Sequence, residues 1–172
     1  IRVEQLDVTN QASVDGMAKR LAETPIDILI NNAGVKGEDN GDIASLDADN
    51  IEWVLQVNTL GPVRVMKALF PNVQSGERKM VVNISSMMGS IEQNTRGCCA
   101  GYRASKTALN SINKTFAVDY GKQGMTFVVM HPGYVQTDMN EGQGSITPAE
   151  SAAGLVSVIR GLGAADNGKF YD

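Results

Sequence analysis

Histidine is almost missing from this sequence: His131 is the only one in 172 residues, and cysteine is confined to the adjacent pair Cys98 and Cys99. A His-based metal site or a Ser-His-Asp triad therefore has little to draw on, and no metal site is expected; His131, at the end of an apolar run, reads as structural. Neighbouring cysteines are poorly placed to bridge distant loops, and neither lies in a CxxC or other metal-ligand spacing. They read as reduced, space-filling thiols near a loop. Runs of basic residues are also lacking. The formal net charge is -4, from 19 acidic and 15 basic residues, which argues against nucleic acid or anionic lipid as a partner. No apolar stretch approaches the roughly 18 to 20 residues of a membrane span, and the N-terminus has no signal-peptide pattern, so a soluble cytoplasmic protein with no membrane partner is expected. Ile1 rather than Met opens the chain, and the first segments read as the middle of something longer.

What is present is enough apolar material, 42% of residues, for one compact α/β domain over residues 1–172. IRVEQLDV alternates Ile1, Val3 and Leu6 with polar residues, which predicts a short strand ending at Asp7. In SVDGMAKRLAE, Val14, Met17, Ala18 and Leu21 fall on one helical stripe, closed by Pro25. IDILI at 26–30 predicts a strand buried on both faces, followed by the turn Asn31-Asn32-Ala33-Gly34. Residues 36–50 are polar and glycine-containing and predict a surface loop. A long helix follows, bent at Gly61-Pro62 and resuming with Val65, Met66 and Leu69. MVVNIS (80–85) and MTFVVMH (125–131) predict two more buried strands. Thr147, Pro148 and Glu150 spell a capping box before a helix to about residue 162, and GKFYD begins a final strand. Strands alternating with helices imply a doubly wound parallel sheet with helices on both faces.

Two features interrupt this pattern. Asn58 takes the i+7 position of the stripe begun by Ile51, Val54 and Leu55, where the periodicity asks for a hydrophobe. Tyr102 and Lys106 stand one helical turn apart in GYRASK, which by itself describes an exposed aromatic beside a solvated charge. In a doubly wound sheet, ligands bind beyond the carboxyl ends of the strands. Asp7-Val8, Asn31 to Gly34, Ser85-Ser86 and Pro132-Gly133 each follow a predicted strand.

In this order, and together with Asn58, Tyr102 and Lys106, these segments resemble the short-chain dehydrogenase/reductase family across nearly the whole chain. SSMMGSIEQNTRG, GYRASKTALN and HPGYVQTDM further resemble its C-factor and sniffer-like carbonyl reductase branch. The resemblance implies a Rossmann-like fold and NAD(P)-dependent hydride transfer between the cofactor, NAD or NADP with NADP favoured, and a small or medium carbonyl or alcohol substrate. It implies that Tyr102 exchanges the proton of the substrate oxygen, while Lys106 lowers its pKa and holds the nicotinamide ribose. It implies further that Ser86, or Ser85 if the register is off by one, hydrogen-bonds that oxygen. Asn58 would hold a water linking Lys106 to solvent; the alternative is a core amide satisfied by nearby backbone. By the same resemblance Asp7 and Val8 contact the adenine, and Asn32, Ala33 and Gly34 line the adenosine side, the NNAG turn serving the sheet, the site or both. Pro132, Gly133, Val135 and Thr137 would close over the nicotinamide and phosphates. The helices bearing Asn58 and Tyr102 would pack against a partner subunit in a homodimer or homotetramer.

The family's glycine-rich turn after its first strand has no counterpart here, nor has the end of the second strand that selects NAD or NADP, so the first βαβ unit is expected to be missing. Two hypotheses follow: the interior of a longer reductase, or a truncated C-factor-like signalling or binding module without turnover. An extended-branch epimerase or dehydratase also uses a Tyr-Lys pair, but NNAG and the short C-terminal part count against it.

Overall fold

The computed structural model describes residues 1–38 and 41–172. The predicted surface loop over 36–50 spans Asp39 and Asn40, which lie outside the described residues; around them stands one short 3-10 turn, Ile43–Ser45, capped by the Asp42 side chain.

Among the described residues four parallel strands make one sheet in the order β1 (Ile28–Asn31), β2 (Met80–Ile84), β3 (Thr126–Met130), β4 (Phe170–Tyr171). Among the described residues five helices connect or flank them: α1 (Gln11–Arg20), α2 (Ala48–Leu55), α3 (Gly61–Ser75), α4 (Ala100–Gly121) and α5 (Pro148–Gly161). The two-residue period of the strands sorts their side chains between two layers. Met80, Val82, Ile84, Val128 and Met130 pack with Ile159 and Leu162 at the end of α5, whereas Val81 and Phe127 meet Met66 and Val73 of α3 and Ala117 of α4. Helix α1 lies against α3 through Val14, Met17, Val65 and Leu69. The result is the expected Rossmann-like α/β arrangement.

Asn10 caps α1 by accepting from the Ser13 N–H, and the Thr147–Glu150 box opens α5 behind Pro148. Asn72 joins the far ends of α1 and α3: its Nδ2 donates to the Leu21 and Thr24 carbonyls, both at 2.9 Å. Across the sheet, Asn31 and Asn83 are register partners, and their amides form a directional ladder. Asn31 Nδ2 donates to Asn83 Oδ1, and Asn83 Nδ2 donates to Asn113 Oδ1 on α4, each at 2.8 Å.

Two expectations are corrected. Residues 1–6 form no strand; Ile1 and Val3 are exposed, and the segment is held instead by Glu4, which pairs with Arg2 and Arg20. Alternation makes a strand only where a neighbouring strand supplies the ladder, and among the described residues none lies alongside. For the same reason IDILI is not buried on both faces. The strand starts at Ile28, Leu29 is half-buried, and Ile30 is 46% exposed.

The disturbance expected at Gly61-Pro62 in the long middle helix takes the form of a π turn. Between α2 and α3 the chain makes one π turn, Gln56–Leu60, in which the Gly61 N–H reaches back five residues to the Gln56 carbonyl. Pro62 brings no N–H to an ordinary helical bond, and the wider turn absorbs that loss. The extra residue also buries Val57, Asn58 and Thr59 consecutively, which a regular one-sided helix would not do.

Candidate active site

Because the strands are parallel, β1, β2 and β3 deliver Asn32 to Gly34, Ser85-Ser86 and Pro132-Gly133 to one edge of the sheet. The π turn and the first turns of α4 face that edge. Asn58, fully buried, clamps the chain leaving β1: its Oδ1 accepts from the Val35 N–H and its Nδ2 donates to the Val35 carbonyl, both at 2.8 Å. The same Nδ2 donates to Ser105 Oγ at 3.0 Å. Both Nδ2 hydrogens are thus taken by protein groups, and Oδ1 accepts one bond.

Lys106 is 4% exposed, and its Nζ donates to the Ile84 carbonyl at 2.9 Å. Gly34 lies beside it: a Cβ there would stand 3.4 Å from Asn58 Oδ1 and 3.6 Å from Lys106 Nζ. Burial lowers the Lys106 pKa to about 8. The Lys106 ammonium stands 5.7 Å from the centroid of the Tyr102 ring. For the polypeptide by itself, the expected lowering of the Tyr102 pKa is not found. Burial pushes it above its ordinary value, a hydrogen bond with Ser86 pulls the other way, and the nearby Cys99 raises it further. Burial is the largest cause, and Nζ, whose bond goes to Ile84, does not offset it.

Ser86 and Ser85 point to different neighbours. The Ser86 hydroxyl meets Tyr102 and accepts from the Met88 N–H at 3.1 Å, capping the 3-10 turn Met87–Gly89. Ser85 donates to Asn110 Oδ1 at 2.6 Å. That short turn is strapped to α4 by the Thr107 hydroxyl, which bridges the Gly89 and Arg103 carbonyls. Gly89 permits the approach, since a Cβ would come within 3.0 Å of the Lys106 carbonyl carbon.

Asn58, Gly34, Ser86, Tyr102 and Lys106 therefore form one group. The other candidates flank it. Asp7 is exposed and folds its carboxylate onto Thr9, whose N–H and hydroxyl hold its pKa below the usual range. Val8 packs on Gly61 and gives its carbonyl to Arg64, which ties it to the π turn. Asn32 and Ala33 are exposed at the strand end. Pro132 accepts from the Ser151 hydroxyl at 2.6 Å, and Gly133, at φ +85°, is where the loop turns back against Ile146. Val135 bridges to Ile146, and Thr137 caps the turn Asp138–Asn140, so the hydrogen bonds of these two stay within their own loop. Among the described residues no three metal-ligating side chains gather. His131 Nδ1 is buried without a partner among them, and burial lowers its pKa.

Ser105 was not anticipated. It is fully buried, accepts from Asn58, donates to the Tyr102 carbonyl at 2.7 Å, and its own carbonyl accepts from Thr59. The signal lay in the α4 stripe Gly101, Ser105, Leu109, Asn113, where small and polar residues take buried positions.

The buried Lys106, the half-buried Tyr102 and the Ser86 hydroxyl thus stand together at the carboxyl edge of a parallel sheet. The short chain dehydrogenase profile matches residues 1–147, and the chain belongs to that family, in its carbonyl reductase and sniffer-like branch. It is 36% identical over 155 residues to the C-signal of Myxococcus xanthus, covering 90% of this chain and 93% of that protein. It is 38% identical over 171 residues to 1-hydroxy-2-glutathionyl-2-methyl-3-butene dehydrogenase of Rhodococcus sp. (strain AD45), covering 96% of this chain and 74% of the relative. The carbonyl reductase Sniffer of D. melanogaster superposes with a TM-score of 0.93 at 30% identity, over 99% of this chain and 74% of that one. An NADPH-bound carbonyl reductase from chicken fatty liver gives 0.89 at 30% identity, over 98% and 73%.

Proposed function

We propose that this protein reduces a small carbonyl compound, or oxidises the matching alcohol, with Tyr102 as the group that exchanges the proton of the substrate oxygen. The observation that carries the reading is the junction of Tyr102 with the Ser86 hydroxyl on one side and the Lys106 ammonium on the other, all at the carboxyl edge of the sheet. The nicotinamide supplies or accepts the hydride when bound. The donor set suits it: Lys106 has three N–H bonds, one directed to Ile84, and the side chain of Gly34 is absent where the ammonium faces the strand end, which leaves donors for a ribose hydroxyl. Ser86 orients the substrate oxygen toward Tyr102. A cationic Lys106 with a ribose beside it stabilises the phenolate that burial opposes. Asn58, with its side chain engaged by Val35 and Ser105, holds the strand-end turn in place.

NADP is the favoured cofactor, in keeping with the NADPH-bound reductase above. Asp7, Val8, Asn32, Ala33 and Gly34 serve its adenosine side, and Pro132, Gly133, Val135 and Thr137 its nicotinamide and phosphates. Assembly uses α4 and the α2–α3 helix, where Trp53 and Leu60 are exposed, in a homodimer or homotetramer that light scattering would reveal. Tyr102→Phe is expected to lower carbonyl reduction by at least about 100-fold, the scale of a lost general acid, with cofactor affinity within about threefold of the parent. Retained turnover in Tyr102→Phe removes the assigned role.

A second reading is a binding or signalling module without turnover, favoured by the near-equal span shared with the C-signal. Titration of the purified protein with NADPH separates the two: saturable binding supports the reductase, and its absence supports the module.

A further inference from the structure

The segment leading into α4 is unusual in two independent ways. Gly97, Cys98 and Cys99 have φ of +68°, +57° and +56°, three left-handed residues in succession, two of them carrying side chains. The two cysteine sulfurs also touch, with the Cys99 thiol directed at Cys98 Sγ at 3.3 Å. Cys98 is exposed and Cys99 is buried. Arg103 holds the turn: its Nε donates to the Gly97 and Cys98 carbonyls at 3.2 and 3.0 Å, and its N–H donates to the Cys99 carbonyl at 2.8 Å. Tyr102 follows Cys99 by three residues, in the first turn of the same helix.

We propose that Cys98 and Cys99 form a dithiol modification site that a hydroperoxide oxidises to a disulfide between adjacent residues, and that closing this bond displaces Tyr102. The exposed Cys98 sulfur attacks the peroxide oxygen; the O–O bond breaks, an alcohol or water leaves, and Cys98 becomes a sulfenic acid. The Cys99 sulfur then attacks Cys98 Sγ, the S–O bond breaks, and water leaves with the Cys99 proton. Two electrons pass from the sulfur pair to the peroxide, and a small thiol restores the dithiol.

The arrangement suits a reversible bond better than a structural one. Consecutive Cα atoms are about 3.8 Å apart, short of the roughly 4.4 to 6.8 Å usual for a disulfide, and such departures make the bond easier to reduce. Sulfur contact must tighten from 3.3 Å to about 2.05 Å, which the left-handed peptide can supply only by rotating. The Cys98 carbonyl belongs to that peptide and moves with it, and with it goes the Arg103 Nε bond that holds the entry to α4. The effect on turnover rests on the role given to Tyr102 above; formation of the bond does not.

The test treats the protein with limiting hydrogen peroxide, alkylates with iodoacetamide, and digests with trypsin, since Arg96 and Arg103 bound a peptide of residues 97–103 holding both cysteines. The expected product lacks two hydrogens, resists alkylation, and takes two alkyl groups after dithiothreitol. Oxygen adducts on Cys98 with Cys99 still alkylated, or a disulfide between two copies, would overturn the proposal. Hydrogen exchange is expected to rise over residues 100–106 in the oxidised protein and to ignore peroxide in Cys98→Ser. A disulfide that leaves this exchange unchanged refutes the displacement of Tyr102. Reduction of a carbonyl substrate should fall at least about tenfold on oxidation and recover with dithiothreitol, because small misplacements of a reacting group are costly. If neither form turns over while the bond and the exchange change appear, the reductase reading has failed and the dithiol site stands.

Discussion

At the scale of single residues, the site is a set of polar side chains taken out of water, and Lys106 shows the cost most clearly. Its pKa falls from 10.5 to about 8 on burial. Below about pH 8 folded and unfolded chains both hold the proton, and the full penalty is present. Between about pH 8 and 10.5 the folded amine has lost its proton while the unfolded one keeps it, so the unfolded state binds more protons and the free energy of unfolding rises with pH. The rise is expected to reach about 3 kcal/mol, and to be missing in Lys106→Met when urea unfolding of the two proteins is compared across that window. Equal slopes would mean that the amine is solvated. Asn58, Tyr102 and Lys106 were legible in the sequence because each breaks a pattern or completes a spacing. Ser105 was harder to see, because a serine in a helix acquires meaning only when another helix brings an amide to it. Nor could the sequence show that burial, rather than Lys106, dominates the Tyr102 hydroxyl, since that depends on where the ammonium points.

At the scale of elements, close approaches decide what the chain tolerates. Gly76 ends α3, and a Cβ there would stand 2.1 Å from the Ile26 carbonyl oxygen, against backbone that cannot swing aside as a side chain could. Gly76→Ala is expected to cost about 3 kcal/mol, the upper range for overpacking, read as a lower urea midpoint with unchanged slope; an unmoved midpoint would show that the α3–β1 corner is pliable. Strands β2 and β3 were readable as continuous apolar runs, and α5 from its capping box, because those signals are local. Residues 1–6 and IDILI misled for a common reason: alternation and hydrophobicity report what a segment can do, while its partner determines what it does. The π turn was half legible. Gly61-Pro62 announced a disturbance, but not that it would take the form of a widened turn that keeps Asn58 and Thr59 inside.

At the scale of the whole molecule, the two layers meet around a sheet whose first strand is paired on one side only among the described residues. An edge of this kind, with Ile30 exposed, is a template for pairing with another chain. Light scattering by the isolated chain is therefore expected to rise with concentration, and Ile30→Lys, which puts a charge on that edge, to suppress the rise severalfold; equal scattering would place the contact elsewhere. The amide ladder adds a grammar to this edge. Asn31 spends one N–H on Asn83, and Asn83 spends one of its own on Asn113. No member can reverse without turning all three, and Asn31 keeps its second Nδ2 N–H as well as its Oδ1 for a newcomer. Any strand seated beside β1 therefore meets, at that one position, an amide that can both give and take a hydrogen bond.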